Sequence, residues 1–212
     1  MLSTQLAAVV TRRSRGILGF DTGFAKFGWG LITYDQTCVA FHSCGLIRTE
    51  KCERKQEVRT SSDNATRGVQ LAKALADIVV GIQADNIVID CIAVEAQSLV
   101  RNACVVVQLG AAFGLVYSLV AQLNVPLVEF SPQEIKTKIA GSKSATKSDV
   151  LAALKSHATW MEPLGQELKR QAAIKVGRKS LLPPDDWEHP VDATAAAVCA
   201  LDSDIVRALR RR

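Results

Sequence analysis

The chain has 212 residues, of which 48% are apolar and 22% are charged, a composition that is typical of a globular protein and excludes a disordered or fibrous chain. A single domain of this length buries roughly 70% of the surface that its unfolded chain exposes, so it needs no disulfide or structural metal to fold. The net charge of +5 favours contact with polyanions but does not identify one.

The first part of the chain predicts an antiparallel meander behind a basic tail. Residues 1–15 contain three arginines and no acidic side chain, which is typical of a basic N-terminal tail and compatible with an organelle transit peptide. Three apolar runs follow at residues 16–20, 27–34 and 38–47, and polar turns separate them. We therefore predict three consecutive antiparallel strands.

A loop, a helix and a buried strand are predicted next. Residues 50–64 are polar and predict a loop or an arm. Apolar residues at helical spacing over 72–83 predict an amphipathic helix. Residues 87–94 are almost continuously apolar and lead to Glu95, which is typical of a strand that is buried on both faces of a sheet.

The segment 102–128 contains no charged residue and is long enough to suggest a membrane span. Two glutamines, an asparagine and a proline interrupt it, so a buried helix over 102–123 and a strand over 125–130 are the better interpretation. Gly110 and Gly114 would allow another backbone to approach that helix closely, in the core or in a dimer. We predict no membrane span.

Helices fill most of the remaining chain. Ser131 and Glu134 have the spacing of a capping box, at the start of a helix that extends to about residue 140. The other C-terminal segments are a helix over 147–157, an irregular basic insert over 160–188, a helix over 192–209 and an arginine tail at 210–212. The order of elements predicts an α/β fold with a mixed sheet, in one domain over residues 16–209.

Four side chains are candidates for a metal-dependent active site. Asp21 and Glu95 each follow a predicted buried strand, and α/β proteins commonly place their sites at such strand ends. Asp192 begins the last predicted helix, and His189 precedes it by three residues. Carboxylates that converge repel one another unless a divalent cation binds them, and such a cluster suits hydrolysis of a phosphodiester by two metal ions. Each acid taken alone is more simply a turn or helix-start residue.

Three other patterns bear on a nucleotide cofactor, on the redox compartment and on burial. Residues 141–148 resemble a phosphate-binding loop, but Thr146 stands in place of its second glycine and no strand immediately precedes the segment, so we predict no nucleotide cofactor. The six cysteines include no CxxC pair, which indicates a reducing compartment. Cys91, Cys104 and Cys199 lie in apolar runs and are predicted to be buried.

Four segments resemble, in order and spacing, the motifs of the RuvC-type Holliday junction resolvases. The first comprises residues 17–23 with 27–32, and the second comprises Glu95 ahead of residues 101–102 and 108–110. The third comprises residues 126–130 with Lys136 and residues 141–148, and the fourth comprises residues 189–193. The resemblance covers roughly residues 16–201. It implies an RNase H-like fold whose five-stranded mixed sheet has three antiparallel strands and then two parallel ones, flanked by helices.

The same resemblance implies an activity and a set of ligands. The family pattern is that of a homodimer that cleaves four-way DNA junctions with two symmetrically placed sites. Carried over by position, the metal ligands are Asp21, Glu95 and Asp192, with His189 at a fourth position that is acidic in some members. The implied cofactor is Mg²⁺, two ions per site, and Mn²⁺ is able to substitute because imidazole suits it better.

The resemblance also implies contacts with DNA. Lys136 and Lys147 match basic positions near the scissile phosphate, where they would offset its charge, so Lys147 is also predicted to be catalytic. The family commonly inserts an aromatic side chain between bases just after Glu95, whereas this chain has Ser98 and Leu99 there. Leucine can insert in the same way. Arg101 and Lys143 complete the predicted DNA contacts.

Two alternatives remain open at this point. The first is a different RNase H-like nuclease that acts on branched DNA or RNA–DNA hybrids, and the second is a non-catalytic protein that binds junctions. A pure DNA-binding protein gains nothing from Asp21, Glu95 and Asp192 facing phosphates. The expected location is the cytoplasm, for a nucleoid-associated or phage-encoded protein, or an organelle if residues 1–15 are a transit peptide.

Overall fold

The computed structural model describes residues 13–52, 59–96, 101–157, 159–177 and 179–211. Its strands are β1 (Ser14–Asp21), β2 (Lys26–Tyr34), β3 (Val39–Arg48), β4 (Ile87–Glu95), β5 (Leu127–Phe130), β6 (Lys175–Val176) and β7 (Lys179–Ser180). Its α-helices are α1 (Thr60–Ala84), α2 (Ala103–Leu123), α3 (Pro132–Ala140), α4 (Lys147–His157), α5 (Glu162–Ala173), α6 (Glu188–Ala200) and α7 (Asp204–Arg210). Short 3₁₀ turns at Thr159–Met161 and Pro184–Asp186 precede α5 and α6.

Five strands form one mixed sheet in the order β3-β2-β1-β4-β5. The first three strands pair antiparallel, whereas β1 with β4 and β4 with β5 pair parallel, which confirms the predicted sheet. Successive residues of β1 face opposite sides of the sheet, as the pleat requires. Ile17 packs in a core with α3 to α6, and Leu18 packs in a second core with α1 and α2. The sheet is therefore covered by helices on both faces.

Helix α6 lies directly on β1 and β2 because both strands have glycines where the helix crosses them. A side-chain carbon on Gly19 would lie 2.0 Å from the carbonyl oxygen of Ala193, and one on Gly28 would lie 2.2 Å from that of His189. A larger residue at either position would therefore displace the helix. The close contact brings the first turn of α6 to the end of β1, where Asp21 lies.

Helix α1 begins at Thr60, so the predicted loop through residue 64 is wrong at its C-terminal end. The reason is Arg67, whose side chain is only 2% exposed although it is charged. Its Nε donates to Oγ1 of Thr49 at 3.0 Å, and its guanidinium lies 4.7 Å from the ring centre of Phe24. A packed arginine thus extends the buried face of α1 into a segment that is polar by composition.

The prediction of an irregular insert over residues 160–188 is wrong. The segment forms a 3₁₀ turn, helix α5, the β6–β7 hairpin and a second 3₁₀ turn. Leu164 and Leu168 lie one turn apart on α5 and are fully buried, as are Met161 and Leu182. Charged residues between these apolar ones conceal the helical spacing, and the basic side chains lie on the outer side of elements that complete the core.

The two helices predicted after β5 are confirmed, and the last predicted helix is divided. Ser131 Oγ accepts from the amide of Glu134 at 3.2 Å, and the Glu134 carboxylate accepts from the amide of Ser131 at 2.7 Å, which forms the predicted capping box. The alanine-rich segment, in contrast, breaks after Ala200. Ser203 Oγ accepts from the amide of Val206 at 3.2 Å and so begins α7 as a separate helix.

Helix α2 is mostly exposed, so the prediction of a buried helix is wrong. Its buried residues are Ala112, Val116 and Leu119, whereas Val107 is 65% exposed. Cys104 is also exposed, against the prediction, while Cys91 and Cys199 are buried as expected. Nothing lies within 4 Å of a side-chain carbon built on Gly110 or Gly114. By length and composition alone α2 could cross a membrane, with a mean hydropathy of 2.0.

Candidate active site

Four predicted site residues come together at one edge of the sheet. Strands β1 and β4 are parallel neighbours in which Phe20 pairs with Val94, so the residues that follow, Asp21 and Glu95, leave the sheet side by side. Helix α6 brings His189 to the same edge, and its Nδ1 lies 2.7 Å from Oδ2 of Asp21. Asp192 follows one turn later on α6, close enough to Asp21 and Glu95 to change their electrostatics.

Burial and mutual repulsion raise the pKa of two of these carboxyl groups. The pKa of Glu95 rises to about 7, first because the group is removed from water and then because Asp192 and Asp21 are nearby. The pKa of Asp192 rises to about 6 for the same two reasons, with Asp21 as the neighbouring charge. The site therefore concentrates more negative charge than its own surroundings neutralise.

Because the pKa of Glu95 is raised, the folded protein binds more protons than the unfolded chain between pH 4.5 and pH 7. Stability from this group is then lost as the pH rises through that window. We expect Glu95→Gln to raise the free energy of unfolding at pH 8, without divalent cations, by about 1–2 kcal/mol after solvent screening is allowed for. Thermal melts at pH 5 and pH 8 check this.

At pH 5 the carboxyl group of the folded wild type is still mostly protonated, so the difference between the two melting temperatures should be much smaller there than at pH 8. Asp77→Asn, an exposed acid on α1, is the control and should change neither melt. A Glu95→Gln variant that is less stable than the wild type at pH 8 would contradict the repulsion between these acids.

Two lysines supply positive charge at this edge. The positive charges of Lys147 and Lys136 both act to lower the pKa of Glu95, against the effects of burial and of the neighbouring acids. Lys147 Nζ also donates to Oε2 of Glu188, and the pKa of Lys147 is raised because this bond and the nearby acids outweigh the effect of burial. Glu188 Oε1 lies 3.7 Å from Nε2 of His189. Glu188 thus links the lysine to the histidine.

The other predicted DNA contacts are less closely grouped. Arg101 is exposed just before α2, and Lys143 is exposed in the connection between α3 and α4. Ser98 and Leu99 lie outside the described residues.

The acidic pair that precedes α6 has a different environment from His189. Asp186 is only 6% exposed, and its carboxylate accepts from Lys26 at 2.6 Å and also from Arg48. These two cations keep its pKa below the usual range although burial opposes them. Asp185 is exposed and lines a groove with Lys147. Asp186 is therefore committed to an ion-pair cluster that holds the start of α6 against β2 and β3.

The donor set suits a hard divalent cation, because it has three carboxylates with unrelieved repulsion and one imidazole. Among the residues that the structure describes, no three such side chains form a closed ligand cage. Asp21 faces His189 at 2.7 Å instead, so both side chains would turn towards a bound ion. The residues therefore fit a metal site by their chemistry, and they lie at one edge of the sheet.

Sequence reasoning missed Glu188 and the cluster around Asp186. Glu188 is four residues before Asp192, so it lies on the same face of α6, and that spacing could have indicated it. No local signal indicated that Asp186 pairs with Arg48, which is 138 residues away along the chain.

Comparisons with known proteins bear on the family of this chain. The family model for crossover junction endodeoxyribonuclease RuvC matches residues 17–160. The RuvC protein of Pseudothermotoga lettingae is 33% identical over 139 residues, which are 66% of this chain and 77% of the relative. That of Nitratidesulfovibrio vulgaris strain DP4 is 27% identical over 197 residues, 93% of each chain. An alignment of that length also includes His189 and Asp192.

Solved structures have the same fold. Thermus thermophilus RuvC superposes with a TM-score of 0.60 at 17% identity, covering 92% of this chain and 96% of that one. The yeast mitochondrial Holliday junction resolvase superposes with a TM-score of 0.53 at 15% identity, covering 92% and 81%. The predicted RNase H-like fold is confirmed. Since the family model also spans more than half of the sequence, this chain belongs to the crossover junction endodeoxyribonuclease RuvC family.

Proposed function

We propose that the chain is a divalent-metal-dependent endonuclease that resolves four-way DNA junctions by paired, symmetric nicks. The observation that carries the proposal is the convergence of Asp21, Glu95, His189 and Asp192 at one sheet edge, beside Lys147. Membership of an endodeoxyribonuclease family supports the reaction class. The T. thermophilus RuvC protein was solved in complex with a Holliday junction substrate, which supports a four-way junction as the substrate proposed here. That structure superposes with a TM-score of 0.61 at 18% identity, and the match covers 92% of this chain and 95% of the T. thermophilus chain.

Asp21, Glu95, Asp192 and His189 would hold the metal, which we propose to be two Mg²⁺ ions, with Mn²⁺ able to substitute. When bound, such ions activate the attacking water and stabilise the leaving oxygen. The neighbouring charges of the chain act on the substrate. Lys147 carries a positive charge into this acidic edge, where it would attract a phosphate and offset the charge that develops on it.

The contact between Glu188 and Lys147 has a consequence for substrate binding. The ion pair keeps the Lys147 ammonium at the site in the absence of DNA, and it lowers the pKa of Glu188. A phosphate oxygen can replace the Glu188 carboxylate as the acceptor, so the lysine needs only a small rearrangement to bind DNA.

A gel assay tests the proposal directly. Four-way, three-way and linear DNA of equal length are incubated with the full chain and Mg²⁺, and again with chelator. We expect cuts only in the four-way junction and only with metal, at two sites related by the symmetry of the junction. Equal cleavage of linear DNA, or of RNA–DNA hybrids in a parallel lane, would favour another RNase H-like nuclease instead.

The exposed face of α2 supports the proposed homodimer. Val106 and Val107 are 49% and 65% exposed, and Tyr117 is 52% exposed. Gly110 and Gly114 leave open space that another backbone can enter. A second copy of the chain is the occupant that a two-fold symmetric junction requires, because paired nicks need two sites related by the same symmetry.

We expect Val107→Asp to convert the dimer into a monomer in light scattering, because the charge would be buried at the interface. Resolution should change with it: a plasmid cruciform cut by the dimer yields linear product in one binding event, whereas the monomer should yield mainly nicked circles. Val80→Asp is the matched control, since Val80 is 64% exposed on α1. A Val107→Asp protein that remains dimeric would remove α2 from the interface.

A further inference from the structure

The β6–β7 hairpin lies outside the predicted site and beyond the residues that the family model matches. It consists of Lys175 paired with Ser180 and Val176 paired with Lys179, joined by a turn in which Gly177 has φ of 63°. The family model ends at residue 160, before the hairpin. Its position and its side chains indicate a function of its own.

The hairpin is anchored at the same sheet edge as the catalytic acids. Arg48, at the end of β3, donates to the carbonyl oxygen of Leu181 at 3.1 Å, directly after β7. In the sheet Arg48 pairs with Lys26, and two residues later on β2 Gly28 pairs with Asp21. The anchor of the hairpin on β3 and the carboxylates on β1 and β4 thus lie at the same edge of the sheet, with β2 between β3 and β1.

Arg48 connects the hairpin to the start of α6 as well. Its guanidinium donates to Asp186, the carboxylate that also accepts from Lys26 at 2.6 Å. On the other side, Ser180 Oγ donates to the carbonyl oxygen of Ala172 at 2.7 Å, which ties β7 to the end of α5. The hairpin is therefore held in a defined position relative to His189 and Asp192.

The hairpin combines exposed apolar and basic side chains. Val176 is 62% exposed, and Ile174 and Leu181, which flank the hairpin, are 37% and 38% exposed. Lys175 is exposed, and the Lys179 side chain is 81% exposed. Among the described residues, Lys179 pairs with Glu50, which is itself exposed, at 3.4 Å. An exposed pair of that kind contributes little to stability, so Lys179 is available to another anion.

We propose that the β6–β7 hairpin is a second DNA contact, in which Lys175 and Lys179 bind backbone phosphates and Val176 packs against the bases or sugars beside the branch point. This inference rests on the proposed function and identifies how the chain holds its substrate. The pattern of side chains supports this proposal. Lysines on either side of an exposed aliphatic residue can bind phosphates of the DNA backbone while the aliphatic side chain enters a groove or an opened base step. The position at the acidic edge places this contact next to the strand to be cut.

The experiment uses the full chain with Asp21→Asn, so that the junction is bound and stays uncut. Binding of a fluorescent four-way junction is followed by anisotropy over a range of salt concentrations. Each lysine on a phosphate contributes about 0.9 to the slope of log affinity against log salt, so the double variant Lys175→Gln and Lys179→Gln should lower that slope by about 2. The matched control is Lys73→Gln, an exposed lysine on α1 that should leave the slope unchanged.

A second readout tests Val176 without a change of charge. A 2-aminopurine base beside the branch point reports unstacking, and its fluorescence should rise when the parent protein binds. Val176→Ser should remove most of that rise and change the Kd by less than about threefold, because phosphate contacts dominate affinity. Val80→Ser, at an equally exposed valine, should behave as the parent does.

The outcomes separate the two proposals. A parent chain that binds the junction while the hairpin variants keep its salt slope and its fluorescence would overturn the hairpin contact alone. A parent chain that binds the junction no better than linear duplex would overturn the proposed function, and the hairpin contact at a branch point with it. All variants change exposed side chains, and matched thermal melts verify that they fold.

Discussion

Replacing Asp21 with asparagine or Glu95 with glutamine is expected to abolish junction cleavage, by about a thousandfold or more, while the junction is bound as tightly as before or more tightly. Both residues end parallel neighbouring strands, and their anionic oxygens are the donors that a divalent cation needs. An amide of the same size keeps the packing and loses the charge. Binding survives because affinity comes mainly from lysine and arginine on phosphates.

The expected gain in affinity has an electrostatic reason. Each acid removed takes a negative charge from an edge where Glu95 and Asp192 already repel one another, as their raised pKa values of about 7 and 6 indicate. Cleavage rates under single-turnover conditions and Kd values in chelator measure the two effects separately. Asp77→Asn, on the surface of α1, serves as the control. A variant at either site that cuts at near the wild-type rate would make the proposed metal site wrong.

The second large effect is expected at His189. His189→Ala should severely impair cleavage, because the ring contacts Asp21 at 2.7 Å and no other described side chain could take its place on that carboxylate without rearrangement. His189→Asp should restore part of the activity with an acidic ligand. It should also raise the activity with Mg²⁺ relative to the activity with Mn²⁺, because imidazole binds Mn²⁺ better than Mg²⁺ whereas a carboxylate binds Mg²⁺ well.

The acidic pair before α6 provides the comparison. Asp185→Asn should cleave at nearly the wild-type rate, since this exposed group has no contact with Asp21 or His189 among the described hydrogen bonds. Asp186→Asn should lower the melting temperature, because Lys26 and Arg48 would lose the buried carboxylate that they share. If His189→Ala cleaved at the wild-type rate while Asp185→Asn folded normally but was inactive, the fourth metal ligand would be Asp185 and not His189.

The raised pKa values of Glu95 and Asp192 also predict that the rate of cleavage depends on pH. Protons compete with metal for Glu95 and Asp192, so cleavage at a fixed, low metal concentration should fall as the pH drops from 8 to 6. Higher metal concentrations should shift the fall to lower pH.

Local sequence patterns were sufficient for the elements whose causes are local. The meander follows from three apolar runs and their turns, and the start of α3 follows from Ser131 and Glu134, whose side chains and amides bond within four residues of one another. The order of four motifs was sufficient to predict the family. It also identified Asp21 and Glu95 as candidate site residues, although it does not show how they come together in space. These inferences needed no contact between distant parts of the chain.

Tertiary structure decided the rest, for reasons that depend on distant residues. Helix α5 lies in a segment that is basic by composition, yet Leu164 and Leu168 pack into a core that the sheet supplies. Helix α2 is as apolar as a buried helix, but the sheet covers only one of its faces, so hydrophobicity alone could not predict its exposure. The raised pKa of Glu95 exists only where α6 brings Asp192 beside it, and α6 lies there because glycines on β1 and β2 leave room for its backbone. Sequence alone thus identified the candidate side chains, and packing decided which of them meet. Charge and burial act through space, whereas a motif records only the order of residues along the chain.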